Sequence, residues 1–391
     1  MRSNKQHGIK KKIVKKVIKQ HLKENIPIKT ATNAKFNKDQ ILNPLFGAIS
    51  SKEFVESYVE DLREDHKNVP SSDTIFYRLE ESITLLDVMN SYNTTNDKIL
   101  TNCAALGVFN DKIDRGIDCH DTPWYGKDKK HAVTTNQIRG TKYAHRYMSI
   151  ELIEKPRLTI HAVLMNQFSN RSECLKELLL KAKKWLPEGG INHLDRGFFD
   201  APSISVLLQL HEDFIIAGKR NSKIDKIIRK VKDTAEFVSY QYIPKNLRQK
   251  KAYYSFHVEP YTMGEGKKSV TFNLVILFTQ YDNPDKKDEI FIFGTNLKVT
   301  QENVLILSEG YRKRWGIETG YRVKKEVKGK TNSPNYVIRV LFQMLSIVLY
   351  NLWILCNILL SEFIIVKKGY PITMCRLRKI LRKIVSVCST K

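Results

Sequence analysis

KIDRGIDCHDTPWYGKDKK, residues 112–130, is the stretch on which the fold turns. Residues 112–119 alternate toward a strand end, and GKDKK (126–130) is a Gly-, Lys- and Asp-rich turn. Working outward, extended runs follow at 142–153 and 157–165, then an amphipathic helix over 172–186. A short strand enters HLDRGFF (193–199), a second helix covers 203–211, and another strand covers 213–217. The predicted order is therefore βββαβαβ. Three antiparallel strands followed by alternating helices and strands build an α/β sheet layered with helices.

Upstream, residues 1–105 read as a helical, basic, DNA-binding region. Ile9, Ile13, Val14, Val17, Ile18 and Leu22 recur at helical intervals among lysines, so the first 40 residues or so form an amphipathic basic arm. Residues 106–222 are the first part of the α/β core. Over 223–298 a basic helix is followed by three alternating runs, YYSFHVEPYTM (253–263), SVTFNLVILFT (269–279) and EIFIFGTNL (289–297), which read as an inserted β-rich unit. Helical texture returns over 299–366, and the tail, 367–391, is basic and contains no acid.

The chain carries 66 Lys and Arg against 41 Asp and Glu, a net charge of +25 over 391 residues. With 42% hydrophobic residues the sequence excludes low-complexity disorder, and with 12 prolines and 18 glycines it excludes a collagenous chain. Such an excess of cations favours a polyanionic partner, because Lys and Arg gain by releasing counterions condensed on nucleic acid. The six cysteines are scattered without a CxxC pair, which reads as free thiols in a reducing compartment. No signal-peptide pattern opens the sequence, so export is not expected. LSIVLYNLWILCNILLSEFIIV (345–366) is long enough to span a bilayer, but Asn351, Asn357, Ser361 and Glu362 argue for a buried core helix.

The chemistry concentrates in GYRKRWGIETGYRVKKEVKGK (310–330). On one continuous helix advancing about 100° per residue, Tyr311, Arg314, Glu318 and Lys325 fall within about 60° of each other, and Arg322 joins them. Gly316 and Gly320 land opposite, where a missing side chain lets a helix press against a sheet. A ladder of ion pairs among these cations and Glu309, Glu318 and Glu326 is the plain alternative. Trp315 is read as core packing, with stacking on a nucleic-acid base as the alternative.

This segment resembles the YREK signature of the IS-four group of DDE transposases, and LDRGFF resembles that group's D-R-G-F pattern around its second acid. DCHDTPWYG (118–126) is closer to an archaeal-type variant than to the plain D-x-T form of the first motif. The resemblance covers roughly residues 110–360 and implies a ribonuclease-H-like mixed sheet. It implies Asp118, Asp195 and Glu318 as the catalytic acids, holding two Mg²⁺ (or Mn²⁺) ions for strand cleavage and strand transfer without a covalent protein–DNA intermediate. Asp121 rivals Asp118, and Asp200 rivals Asp195. Both rivals read better as a turn residue and a loop or cap residue respectively. Tyr311, Arg314, Arg322 and Lys325, with Lys219 and Arg220 after the strand FIIAG, are the expected DNA contacts. His120 and His193 are read as positioning or packing groups. The expected partners are transposon-end and target DNA and a second copy of the chain, with no membrane and no small-molecule substrate. The expected setting is the cytoplasm, at the nucleoid of a prokaryote. The rivals are a non-enzymatic or decayed DNA-binding protein, and a nuclease that cuts without joining.

Overall fold

The structure is a computed structural model in which residues 2–22, 26, 28, 30, 34–362 and 369–387 are described. Cys388 and the lysine pair at 367–368 of the basic tail lie outside the described residues.

Five helices come first: α1 (Arg2–His21), α2 (Lys38–Ser51), α3 (Val55–Asp65), α4 (Ser72–Ser82) and α5 (Leu85–Ala105). Local chemistry sets their starts. The side chains of Asn37, Ser71 and Thr84 accept hydrogen bonds from the amides of Gln40, Thr74 and Asp87, supplying partners that a first helical turn lacks. The α/β part follows as β1 (Arg115–Pro123), β2 (Val133–Ile138), β3 (Thr141–Leu152), β4 (Thr159–Met165), α6 (Arg171–Ala182), β5 (Asn192–Leu194), α7 (Ala201–Gln209) and β6 (Phe214–Ala217). Then come α8 (Ser222–Val231), β7 (Glu236–Phe237), α9 (Lys245–Arg248), β8 (Ala252–Met263), β9 (Val270–Tyr281) and β10 (Glu289–Thr295). Four helices close the chain: α10 (Val304–Lys313), α11 (Trp315–Lys325), α12 (Tyr336–Ser361) and α13 (Met374–Val387).

Among the described residues, all ten strands join one mixed sheet in the order β2-β3-β1-β5-β6-β10-β9-β8-β7, with β4 also paired to β3. β1 runs antiparallel to β3 and parallel to β5, β5 is parallel to β6, and β10 returns antiparallel. The fold is thus mixed α/β, with three differences from the expectation. β2 was not foreseen, because VTTNQI buries only Val133 and shows no apolar alternation. β1 runs on to Pro123, since Asp121, Thr122 and Pro123 pair with Arg146, His145 and Ala144 of β3, so Asp121 is not in an exit turn. The β-rich stretch is no separate sheet: β10 pairs with β6 and carries the core sheet outward.

The apolar stripe of the basic arm is also part of the core. Val14, Val17, Ile18 and Leu22 are buried where α1 packs on α12, α13 and α5. Helix α12 is apolar all round because it is enclosed. It has the length and composition to cross a membrane, yet 83% of its most apolar window is buried inside the protein. Its polar residues are clamps. Asn351 accepts from the Thr159 amide at 3.0 Å and donates to the Thr159 carbonyl and to Asn96 Oδ1, both at 2.7 Å, tying α12 to β4 and α5. Asn357 accepts from the Ile372 amide at 2.7 Å just before α13.

Candidate active site

β1 and β5 lie side by side and parallel, and Ile117 opposite Leu194 is their last paired position. One residue further along each strand stand Asp118 and Asp195. Neighbouring strands about 4.8 Å apart therefore deliver two carboxylates to one spot. The chain turns there because Asp195 caps a short 3-10 turn, its Oδ1 accepting from the Gly197 amide at 2.8 Å. A Cβ at Gly197 would lie 2.8 Å from that same oxygen, so the turn needs the glycine. Asp118 accepts from the Cys119 amide at 2.8 Å through one oxygen and from Arg314 Nη1 at 2.8 Å through the other. Its carboxyl is pushed up to about 7, first by burial and then by Asp195, with Arg314 pulling the other way.

One face of β1 meets the helical segment across it. Gly116, Asp118, His120 and Thr122 alternate onto that face and meet Ile317, Arg314, Tyr321 and Lys328. A Cβ at Gly116 would sit 2.1 Å from Ile317 Cδ1, which is how closely α11 approaches the sheet. Gly316 and Gly320 do press toward β3 and the residues after it, a Cβ at either lying 3.0 Å from the Ile153 carbonyl or Glu151 Oε2 respectively.

The single stripe expected of Tyr311, Arg314, Glu318 and Lys325 does not form. The helix is interrupted at Arg314, where the Arg314 amide bonds the Tyr311 carbonyl at 3.0 Å and the Ile317 amide bonds the Arg314 carbonyl at 2.8 Å, tightening the turn to i→i+3 spacing. Tyr311 packs between Phe291 and His193, while Arg314 reaches Asp118. Glu318 is 46% exposed at the side chain, with Arg314 Nη2 at 4.0 Å. Lys325 and Arg322 are exposed. The buried lysine is its neighbour Lys324, which forms an ion pair with Glu151 beneath the site. Ser149 Oγ donates to Glu151 Oε1 at 3.0 Å and also bonds the Tyr321 hydroxyl, itself 3.3 Å from the Asp118 carbonyl. Sequence reasoning missed Glu151, Lys324 and Tyr321; a lone acid within the apolar run SIELI was the available signal.

The remaining candidates are spread around this centre. Asp121 is engaged by Arg146 through both oxygens at 2.6 and 2.7 Å, and Asp200 caps α7 by accepting from the Ser203 amide at 2.8 Å. Lys219 and Arg220 are exposed after β6, with Arg220 held by Asp225 at 2.9 Å. Trp315 is 70% exposed rather than packed, because the break at Arg314 turns it outward. His120 lies between Tyr147 and Tyr321, and burial pushes its imidazole down to about 3, so it packs as a neutral ring. His193 is fully buried against Asp114 at 3.3 Å.

Two adjacent carboxylates that repel one another are the oxygen donors a hard divalent cation takes, so Asp118 and Asp195 fit such an ion. Glu318 is not drawn in with them: among the described residues no three His, Cys, Asp or Glu side chains are grouped closely enough to hold a metal. Arg314 stands between, supplying the positive charge to Asp118. The proximity makes a prediction. Asp195→Asn lowers the Asp118 titration from about 7 toward the ordinary carboxylate range, measurable by carboxyl ¹³C NMR of metal-free protein. Because the folded value lies above the usual Asp value of about 3.9, stability from this group is full below that value and is lost as pH rises through about 7. The Asp118 contribution to the stability of the metal-free protein is therefore smaller at pH 8 than at pH 5, opposing the buried neutral His120, His145 and His161, whose contributions fall as pH drops below about 6.5, and Asp195→Asn reduces the Asp118 share.

The fold is a ten-stranded mixed α/β sheet that places two aspartates at adjacent parallel strand positions beneath an interrupted helix. No family model matches the chain, and no curated protein matches its sequence. Among solved structures, its fold is similar to that of piggyBac transposase, seen by cryo-EM in a synaptic complex with hairpin DNA. The match has a TM-score of 0.57 and 12% identity, and covers 97% of this chain and 78% of that one. The likeness is one of fold.

Proposed function

We propose that the chain is a DDE-type DNA transposase on a ribonuclease-H-like core, cutting DNA strands at the ends of an element and joining them to a target. The observation that carries this reading is the placement of Asp118 and Asp195 at adjacent positions of parallel β1 and β5, with Glu318 across Arg314. The fold of piggyBac transposase supports it, as does the +25 charge. The finer assignment, to the YREK group and to a prokaryotic insertion element acting as a homodimer in the cytoplasm, rests on Tyr311, Arg314, Glu318 and the DRGF run alone; the exposed Lys325 adds no contact to it.

Asp118 and Asp195 would hold a Mg²⁺ or Mn²⁺ ion, which when bound would polarise the phosphodiester and activate an attacking hydroxyl; Glu318, the third acid that the resemblance implies, is not grouped with them in this structure. The chain's own groups do the rest. Arg314, released from Asp118, offers a guanidinium fork to a phosphate, and Tyr311 orients that fork from beneath its ring. Tyr321 and the buried Glu151–Lys324 pair fix the main chain of Asp118 from behind. Water supplies the first nucleophile and the freed 3′-hydroxyl the second, so no Ser, Tyr or Cys is assigned a covalent role.

A second reading, a chain that binds DNA without cutting it, is favoured by one observation: Arg314 already neutralises Asp118. A cleavage and joining assay with the DNA ends flanking the encoding element, run with Mg²⁺ and with Mn²⁺, separates the two. Nicked and joined products are expected; bound but uncut DNA under both ions would establish the second reading. Arg314→Ala is expected to weaken end binding and to lower the slope of log affinity against log salt by about one. A slope equal to wild type would remove the phosphate contact.

A further inference from the structure

A cavity of about 400 Å³, within the roughly 300–1,000 Å³ usual for small-ligand sites, opens where the end of β1 and β3 meet the first turns of α12. Its wall carries Lys328, Arg339, Arg139, Arg146 and Lys330, and no Asp or Glu. Among the described residues, Arg146 is the one of these five within ion-pair distance of a carboxylate, that of Asp121. Lys328 donates to Thr122 Oγ1 at 2.9 Å, and Arg339 donates to the Ser333 carbonyl at 2.8 Å while lying over the Trp124 ring. Among the described residues, Glu56 is the one carboxylate that acts on Arg339, from beyond ion-pair distance; its Oε1 accepts from Thr331 and the Asn332 amide, and its Oε2 has no hydrogen-bond partner. Burial, Arg339 and Lys325 push the Lys328 ammonium down to about 7, which is what charges of one sign do when packed without a counter-charge.

Two further features complete the wall. The Tyr147 hydroxyl and the Gln343 side chain line the same cavity on residues more than nine-tenths buried, and face one another as a donor and acceptor pair. Phe54 and Tyr336 give the wall aromatic faces. An excess of cations over acids and aromatic faces together suit a ligand that brings a phosphate and a flat ring, and a nucleotide has both. Thr122 lies on the same face of β1 as Asp118, four residues along, so the cavity begins about 13 Å from that carboxylate at about 3.3 Å per residue.

We infer that this cavity holds one nucleotide of the DNA strand whose phosphodiester about two positions further along lies at Asp118 and Asp195. The assignment to that strand rests on the function proposed above; the match of the cavity to a nucleotide does not.

The test uses the full chain in EDTA, so that no cleavage enters. Lysine methylation is followed residue by residue by mass spectrometry with short 5′-phosphorylated single-stranded DNA, deoxyadenosine monophosphate or inorganic phosphate as the probe. The oligonucleotide is expected to slow modification of Lys328 but not of Lys287, an exposed lysine in the β9–β10 turn, with the monophosphate and phosphate much weaker. Equal protection by the monophosphate would make this a free-nucleotide site and overturn the strand assignment. Protection by none of the probes, or equal protection of Lys287, would overturn the cavity itself. Lys328→Met is expected to weaken oligonucleotide binding about tenfold and to lower its salt slope by about 0.7, against little change in Lys287→Ala. Equal effects of the two variants would reduce the result to diffuse charge. A chain that behaves as expected here yet never cuts DNA would sink the proposed function and leave the cavity standing.

Discussion

Asp195→Asn and Glu318→Gln are each expected to reduce Mg²⁺-dependent DNA cleavage by about 10³-fold or more while leaving binding to DNA ends intact. The two variants are chosen because each removes charge and little else. Asparagine at 195 keeps an oxygen that can accept from the Gly197 amide, so the turn after β5 is preserved. Glu318 is half exposed and its ion pair to Arg314 is long at 4.0 Å, so glutamine there costs little stability. Asp118→Asn is a poorer probe, since it also frees Arg314 from its 2.8 Å partner and changes two things at once. Cleavage at the wild-type rate in either variant would defeat the assignment of that carboxylate. A loss of cleavage accompanied by loss of DNA binding and a lowered melting temperature would point instead to the turn or the helix having failed.

How much of this could be read beforehand divides along a physical line. Features fixed by a few consecutive residues were legible: the extended run into Asp118, the cap-forming Asp200, the glycines that let α11 approach the sheet. Features fixed by what packs from elsewhere were not. The interruption at Arg314 looks like uninterrupted helix to any periodicity argument, yet the ion pair to Asp118 is formed by that residue. Lys324 and Lys325 are equivalent as sequence. The sheet decides between them, because the acid waiting underneath, Glu151, lies 173 positions away from Lys324 in the chain. The β-rich stretch read as a unit apart because alternation reports a strand and says nothing of which edge it joins. Strand β6 took up its last member, β10. Lys328, Arg339 and Gln343 form part of one cavity wall with Tyr147 for the same reason: tertiary packing gathers residues that no motif links.

Lys324→Met is expected to destabilise the fold by about 3–5 kcal/mol, read as a shifted midpoint in urea unfolding. Lys324 and Glu151 are each only 2% exposed at the side chain, and the ammonium also lies over the rings of Tyr321 and Tyr350. Burial alone would strip the charge from that lysine; Glu151 is what holds it there. Removing the lysine leaves a carboxylate in the interior with Ser149 as its remaining hydrogen-bond donor, and that unpaired charge is the source of the cost. The double variant Lys324→Met/Glu151→Leu removes both charges and should recover most of the loss, which a purely steric defect at 324 would not do. Failure of the double variant to recover would mean that volume, not charge, governs this layer. The Tyr321 hydroxyl bridges Ser149 and the Asp118 carbonyl, so the same single variant should also loosen the main chain at Asp118. Faster exchange of the β1 amides in Lys324→Met, restored in the double variant, would tie the buried pair to the geometry of the site above it.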